Sequence, residues 1–313
     1  MRLALFNDYV PGVVNGDRIV DLSDVVGPAV MNVSPVDRMS ALIADFERLR
    51  AKIAGSAGSP GRPLAEVRLR APMPYPSKML FGLGNYRENV NGEIAPLGLF
   101  LKSPSSILDP GGTVKLPPLN AVIFHHEAEL GFVIGKRGKN ISEAEAMEHV
   151  FGYTCIVDVS ARGLGQGVLF LDKSSDTFCP MGPWIVTRYE VPDSQKLSVK
   201  FWENDELRQD YNTDDMEHPI REIVAWASKI ATLEVGDVFA CGTNHQGLGP
   251  MQDDETGTIE IERIGRMTVR VEDPQKRRWP VGIDRGVGKA VRQWKLTGVR
   301  PNPDEMFQTK QIA

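Results

Sequence analysis

The segment His125-His126-Glu127-Ala128-Glu129-Leu130-Gly131-Phe132-Val133-Ile134 constrains the fold of this chain more than any other. In an extended strand, side chains two residues apart share a face. Ala128, Leu130, Phe132 and Ile134 then line an apolar face that must pack on a core. Glu127, Glu129 and Gly131 line the other, with His125 in phase with them. Two adjacent carboxylates repel, and burial sharpens the repulsion. They stay ionised side by side in only two ways: on a solvated edge strand, or around a cation.

A second apolar run, Phe151 to Val157, favours the cation, because it ends on a lone acid, Asp158. An acid in such a place is costly unless it is paired or coordinates something. Glu127, Glu129 and Asp158 with no thiolate form a hard-oxygen donor set. That set suits Mg²⁺ or Mn²⁺, with Ca²⁺ as a further candidate, better than Zn²⁺. Three protein ligands leave open positions for substrate and water, as a catalytic site requires.

Six stretches in this order and spacing resemble the fumarylacetoacetate hydrolase superfamily. They are KMLFGLGNYRENV, FLKSPSSILDPGG, HHEAELGFVIGKRGKNI, VFGYTCIVDVSARG, LDKSSDTFCPMGPWIV and TLEVGDVFACGTNHQGLG. The resemblance runs from residue 78 to about residue 271. It implies a β-roll-like mixed core, a Mg²⁺ or Mn²⁺ ion on Glu127, Glu129 and Asp158, a homodimer, and a small 2-oxo or β-dicarbonyl acid as substrate. It also implies catalytic roles for Lys173 and Arg162 and substrate contacts from Tyr86, Thr177 and Thr243. The expected reaction is hydrolysis of a C–C bond in an acylpyruvate-like acid, with Lys173, Arg162 and the metal stabilising an enolate. A lyase, decarboxylase, dehydratase or isomerase would pass through the same enolate, and a homologue that only binds would keep the metal without the chemistry. Without the resemblance, Lys173 and Arg162 read as ordinary surface charges.

One departure from the family pattern bears on mechanism. Hydrolytic members carry His-x-x-Glu shortly after an Asn-Tyr pair, as the dyad that activates water. After Asn85-Tyr86 this chain has Asn89 and Gly92 at those positions, with Glu93 one residue late. Asn is no base at neutral pH. His245, in Gly-Thr-Asn-His-Gln-Gly just past a strand, is the candidate replacement, with Glu93 the weaker candidate as its orienting acid. His125 is a second histidine in phase with the acids, and both could instead be structural. His149 and His218 fall on helical patterns and read as structural. Gly82-Leu83-Gly84 lacks the third glycine and the context of a dinucleotide fingerprint, and Gly163 to Gly167 reads as a flexible connection.

The surrounding pattern is α+β and mostly β. Short strands at 3–6, 10–14 and 18–22 are followed by an amphipathic helix over 35–53 and a turn-rich stretch at 55–63. This suggests a small N-terminal α+β domain, 1–72, before a catalytic domain, 73–313. Within the second part the pattern gives an extended stretch 122–134 and a capped helix from Ser142 to about Val150. A further helix over 216–230 has Asp214 or Asp215 as its cap. A hairpin turns at Gly265-Arg266, and the tail after about 295 looks irregular. Composition excludes several classes. A net charge of -5 and few aromatics argue against nucleic-acid binding. No apolar run reaches the roughly 18 residues of a membrane helix. Three widely spaced cysteines suggest free thiols in a reducing cytoplasm.

Overall fold

The computed structural model describes residues 1–88, 92–164 and 168–299. Its centre is a large mixed sheet. In spatial order the main strands are Arg62–Pro63, Arg18–Asp21, Val10–Asn15, Arg2–Phe6, Cys179–Thr187, Val150–Val157, Ala128–Ile134, Val238–Ala240, Met79–Gly82 and Leu99–Lys102. Most neighbours are antiparallel, while Val238–Ala240 and Met79–Gly82 run parallel. A second, five-stranded sheet contains Glu206–Asn212, Ser198–Glu203, Thr256–Ile261, Gly265–Glu272 and Thr113–Lys115. The expected mostly β, mixed architecture is therefore present, with no closed barrel among the described residues.

The central strands are covered on both faces, which is why Val150–Val157 reads as an almost continuous apolar run. Ala128, Leu130, Phe132 and Ile134 enter the larger apolar cluster, with the second sheet and the helix Ile220–Ile230. Phe132 stacks on Phe239 with ring centroids 4.7 Å apart. Val133 and Ile156 face the other way, onto a cluster shared with the N-terminal helices. There Phe46 meets Phe151 edge to face at 4.9 Å. The first strand, Arg2–Phe6, pairs directly with Cys179–Thr187, so the N-terminal residues extend the same sheet.

Several local expectations need correction. The extended stretch 122–134 is two strands, Ile123–His125 and Ala128–Ile134, interrupted at His126-Glu127. Its partner does the same, as Val150–Val157 and Ser160–Arg162. The outer halves form a separate two-stranded ribbon. Both chains thus leave the main sheet at one level, and the Asp158 amide donates to the Glu127 carbonyl at 2.8 Å there. This common departure point places two of the three acids side by side.

The helix expected over 35–53 breaks at Asp45 into Arg38–Ala44 and Phe46–Ser56. The later helix begins only at Ile220, with Pro219 in extended backbone at its N-cap. Asp214 and Asp215 belong to a separate short turn before it. Ser142 donates to Glu145 at 2.6 Å, but the helix that follows spans only Glu143–Ala146. The hairpin closes through Glu262 to Ile264, before Gly265. A helix not anticipated from sequence, Val287–Thr297, precedes the end of the described chain. Among the described residues, no helix is long and apolar enough to cross a membrane.

Candidate active site and metal centre

At the point where the strands change sheets, carboxylate oxygens of Glu127, Glu129 and Asp158 come within 4.8 Å of one another, all buried. Glu129 lies two residues inside the main sheet and accepts the Gly242 amide at 2.7 Å. That amide can point inward because Gly242 takes φ +84, in the left-handed region that favours glycine. Burial, then the charges of Asp158 and Glu127, push the Glu129 carboxyl well above the usual range. Burial also raises Glu127, but Lys173 first and Arg162 next outweigh it and hold that carboxyl low. The donor set fits a divalent cation: three buried hard oxygens converge, and a cation among them would relieve the burial and like-charge repulsion that push the Glu129 carboxyl up.

Lys173 Nζ donates to Glu127 Oε2 at 2.6 Å and to Asp158 Oδ2 at 2.7 Å. Burial lowers the affinity of this ammonium for its proton, but Asp158 and Glu127 outweigh that and hold its pKa above the usual lysine value. Arg162 donates through Nη2 to Glu127 Oε1. Both expected cations therefore face the triad. A third, Lys102, was not anticipated as a site residue. Its Nζ donates to Asp158 Oδ1 at 2.6 Å and to the Lys173 carbonyl. Its position in Leu99–Lys102, in phase with the buried Phe100, was the available sign.

His245 is brought to the site. Its Nδ1–H donates to Glu88 Oε1 at 2.5 Å, and its Nε2 lies 3.9 Å from Glu127 Oε1. The His245 backbone amide donates to both Glu88 oxygens, at 3.0 and 2.9 Å. Glu88 holds φ +59, a strained setting for a non-glycine residue. The orienting acid is thus Glu88 and not Glu93, whose carbonyl accepts from Arg292. Sequence reasoning passed over Glu88 because its partner lies 157 residues away. Asn89, and the part of the glycine loop at 165–167, lie outside the described residues.

The other candidates make their hydrogen bonds to groups other than the three acids. His125 Nε2 lies 2.7 Å from Asp284 Oδ2, and its Nδ1 is 3.3 Å from Arg162 Nε. Burial lowers the His125 pKa to about 4, so the ring is neutral. His126 stacks on Phe201 and bonds Gln209 Oε1 at 3.0 Å, with burial lowering its pKa to about 3. Tyr86 is buried against Tyr211, edge to face at 5.0 Å. Thr243 donates to the Ala128 carbonyl at 2.8 Å and accepts from Gln209 at 2.8 Å. Thr177 accepts the Lys115 amide at 2.9 Å. His149 and His218 bond nearby carbonyls, each at 2.8 Å, as structural histidines would.

Comparison with known proteins bears on this geometry. Residues 81–272 match the family described as fumarylacetoacetate (FAA) hydrolase C-terminal. The chain is 33% identical over 288 residues to maleylpyruvate hydrolase of Aquipseudomonas alcaligenes, covering 87% of this chain and 99% of that protein. It is 35% identical over 269 residues to oxaloacetate tautomerase YisK of Bacillus subtilis, covering 81% and 89%. Among solved structures, maleylpyruvate hydrolase from Sphingobium sp. SYK-6, in complex with manganese(II) and pyruvate, superposes with a TM-score of 0.78. That match has 38% identity and covers 87% of this chain and 99% of that one.

Proposed function

Because this chain belongs to the fumarylacetoacetate hydrolase family, we propose that it is a divalent-metal-dependent hydrolase of a C–C bond in an acylpyruvate-like 2-oxo acid. The observation that carries this reading is the buried His245–Glu88 pair beside the carboxylate triad. Glu127, Glu129 and Asp158 would hold Mg²⁺ or Mn²⁺. A divalent ion there supplies Lewis acidity to the 2-oxo carbonyl.

The protein's own groups do the rest. Glu88 takes the Nδ1–H of His245 and leaves Nε2 as the acceptor turned toward the site. His245 Nε2 removes a proton from water as it attacks the acyl carbonyl, and Glu88 stabilises the imidazolium. Breaking the C–C bond leaves a pyruvate enolate, whose negative charge develops beside Lys173 and Arg162. The His245 imidazolium returns its proton to the enolate carbon. Tyr86, Thr177 and Thr243 are proposed to support the substrate pocket. Their hydroxyls or rings already pack against protein, so we assign them to its walls.

The same pair supports a second reading. A base that moves a proton beside a 2-oxo carbonyl needs no water, and one relative is named for oxaloacetate tautomerisation. The test is parallel assays with Mn²⁺. Hydrolysis requires loss of maleylpyruvate absorbance with matching pyruvate release. If maleylpyruvate yields no pyruvate while enol and keto oxaloacetate interconvert, the tautomerase reading replaces it.

Residues 1–72 are proposed as a small N-terminal unit docked on the catalytic residues 73–313. A homodimer is supported by exposed Leu101 on the outer strand Leu99–Lys102 and by Val168, Phe170 and Leu171 on the adjoining segment. Three buried free thiols, Cys155, Cys179 and Cys241, fit a cytoplasmic setting.

A further inference from the structure

We propose that Asp284 and His125 are positioning residues that fix the Arg162 guanidinium on Glu127, so that a segment beyond the family-matched region completes the site. The inference rests on the reading above only in giving Arg162 a role in turnover.

Arg162 Nε–H can only donate, and it faces His125 Nδ1 at 3.3 Å. That nitrogen must therefore present its lone pair. The ring proton then sits on Nε2, 2.7 Å from Asp284 Oδ2, where a carboxylate accepts it. The opposite tautomer would set two donors against each other at Arg162 and leave Asp284 facing a lone pair. Asp284 thus selects the tautomer that can hold the arginine.

With Nε held by His125 and Nη2 on Glu127 Oε1, both the plane and the rotation of the guanidinium are set. His125 and Asp284 are each fully buried. Asp284 is itself anchored: its amide donates to the Leu248 carbonyl at 2.8 Å, and its carbonyl accepts the Val287 amide at 3.2 Å. It sits in the turn leading into Val287–Thr297, past residue 272, where the family match ends.

A positioning role differs from a structural one in acting only through Arg162. The first test is nitrogen NMR of histidine-labelled protein. His125 should show a protonated Nε2 and an unprotonated Nδ1, and Asp284→Ala should shift it toward a mixture. Asp284→Asn keeps an acceptor and should hold the original tautomer. The second test is a double-mutant cycle on kcat. Asp284→Ala should lower kcat about 10-fold in the parent, within the range for a residue that orients a site group. In an Arg162→Met background it should lower kcat no further. Asp284→Leu, close in volume and without an acceptor, serves for both arms if the alanine variant does not fold.

A His125 carrying its proton on Nδ1 in the parent overturns the proposal, as do losses that simply multiply in the double variant. The tautomer measurement needs no substrate, so it stands even if neither maleylpyruvate nor oxaloacetate is turned over.

Discussion

Glu88→Gln is the most informative substitution in this site, because it keeps the side chain's shape while changing what it can accept. Glu88 accepts three hydrogen-bond approaches from His245: two from the backbone amide, at 3.0 and 2.9 Å, and one from Nδ1 at 2.5 Å. A glutamine has one acceptor oxygen and one NH₂. With the oxygen on the backbone amide, the NH₂ meets Nδ1 and forces the ring proton onto Nε2. The nitrogen facing the site then cannot accept a proton. With the oxygen on Nδ1, the NH₂ is driven against a buried backbone N–H, an unfavourable contact. Neither arrangement restores both the tautomer and the charge that stabilises the imidazolium. Loss of a general base lowers turnover by about 10²–10⁴-fold, which corresponds to roughly 3–5 kcal/mol of transition-state stabilisation. The assay is steady-state pyruvate release with saturating Mn²⁺, together with Mn²⁺ affinity by calorimetry. Affinity is expected to stay close to the parent's, since Glu88 is no ligand. Turnover within about threefold of the parent would refute the reasoning, because the histidine would then be working without its acid.

Other outcomes follow from the same geometry. Glu127→Ala, Glu129→Ala and Asp158→Ala should each abolish calorimetric Mn²⁺ binding in folded protein, and unchanged affinity in all three would remove the metal site. Lys173→Met should lower kcat by about 10²–10³-fold with little change in KM; a rise in KM alone would make it only a binding residue. Its melting temperature should be followed too, since it leaves two buried carboxylates without a partner they now share. Glu203 is a buried acid held well above the usual carboxyl range by burial and by Glu255. The folded state therefore keeps a proton the unfolded state loses, and stability falls as pH rises above about 4.5. Glu203→Gln should lessen that fall, as read from urea midpoints at pH 4.5 and 8; parallel profiles for both proteins would count against it.

What could be read from sequence was local, and what could not was distant. Glu127, Glu129 and Asp158 were legible because strand alternation fixes side-chain faces and an acid inside an apolar run is conspicuous. The mostly β, mixed character followed from the same alternation. Glu88 was not legible: its role depends on a left-handed backbone setting and on a histidine 157 residues away. Asp284 was hidden for a similar reason, lying 159 residues from His125. Lys102 could have been noticed as a lysine in phase with a buried phenylalanine. The break at His126-Glu127 was invisible to periodicity, because both halves are extended and only their partners differ. That break places the site, since it lets two strands part from the main sheet at the level of the acids.

Anomalous diffraction from crystals grown with Mn²⁺ and pyruvate tests the central claim most directly. One manganese peak is expected within bonding distance of Glu127, Glu129 and Asp158, at the roughly 2.0–2.6 Å typical of hard cations on oxygen. His245 Nε2 should be turned toward the bound pyruvate, with Nδ1 still on Glu88. Contradiction would be an occupied manganese site elsewhere in the chain, with the three carboxylates free of metal and Glu127 and Asp158 still on Lys173.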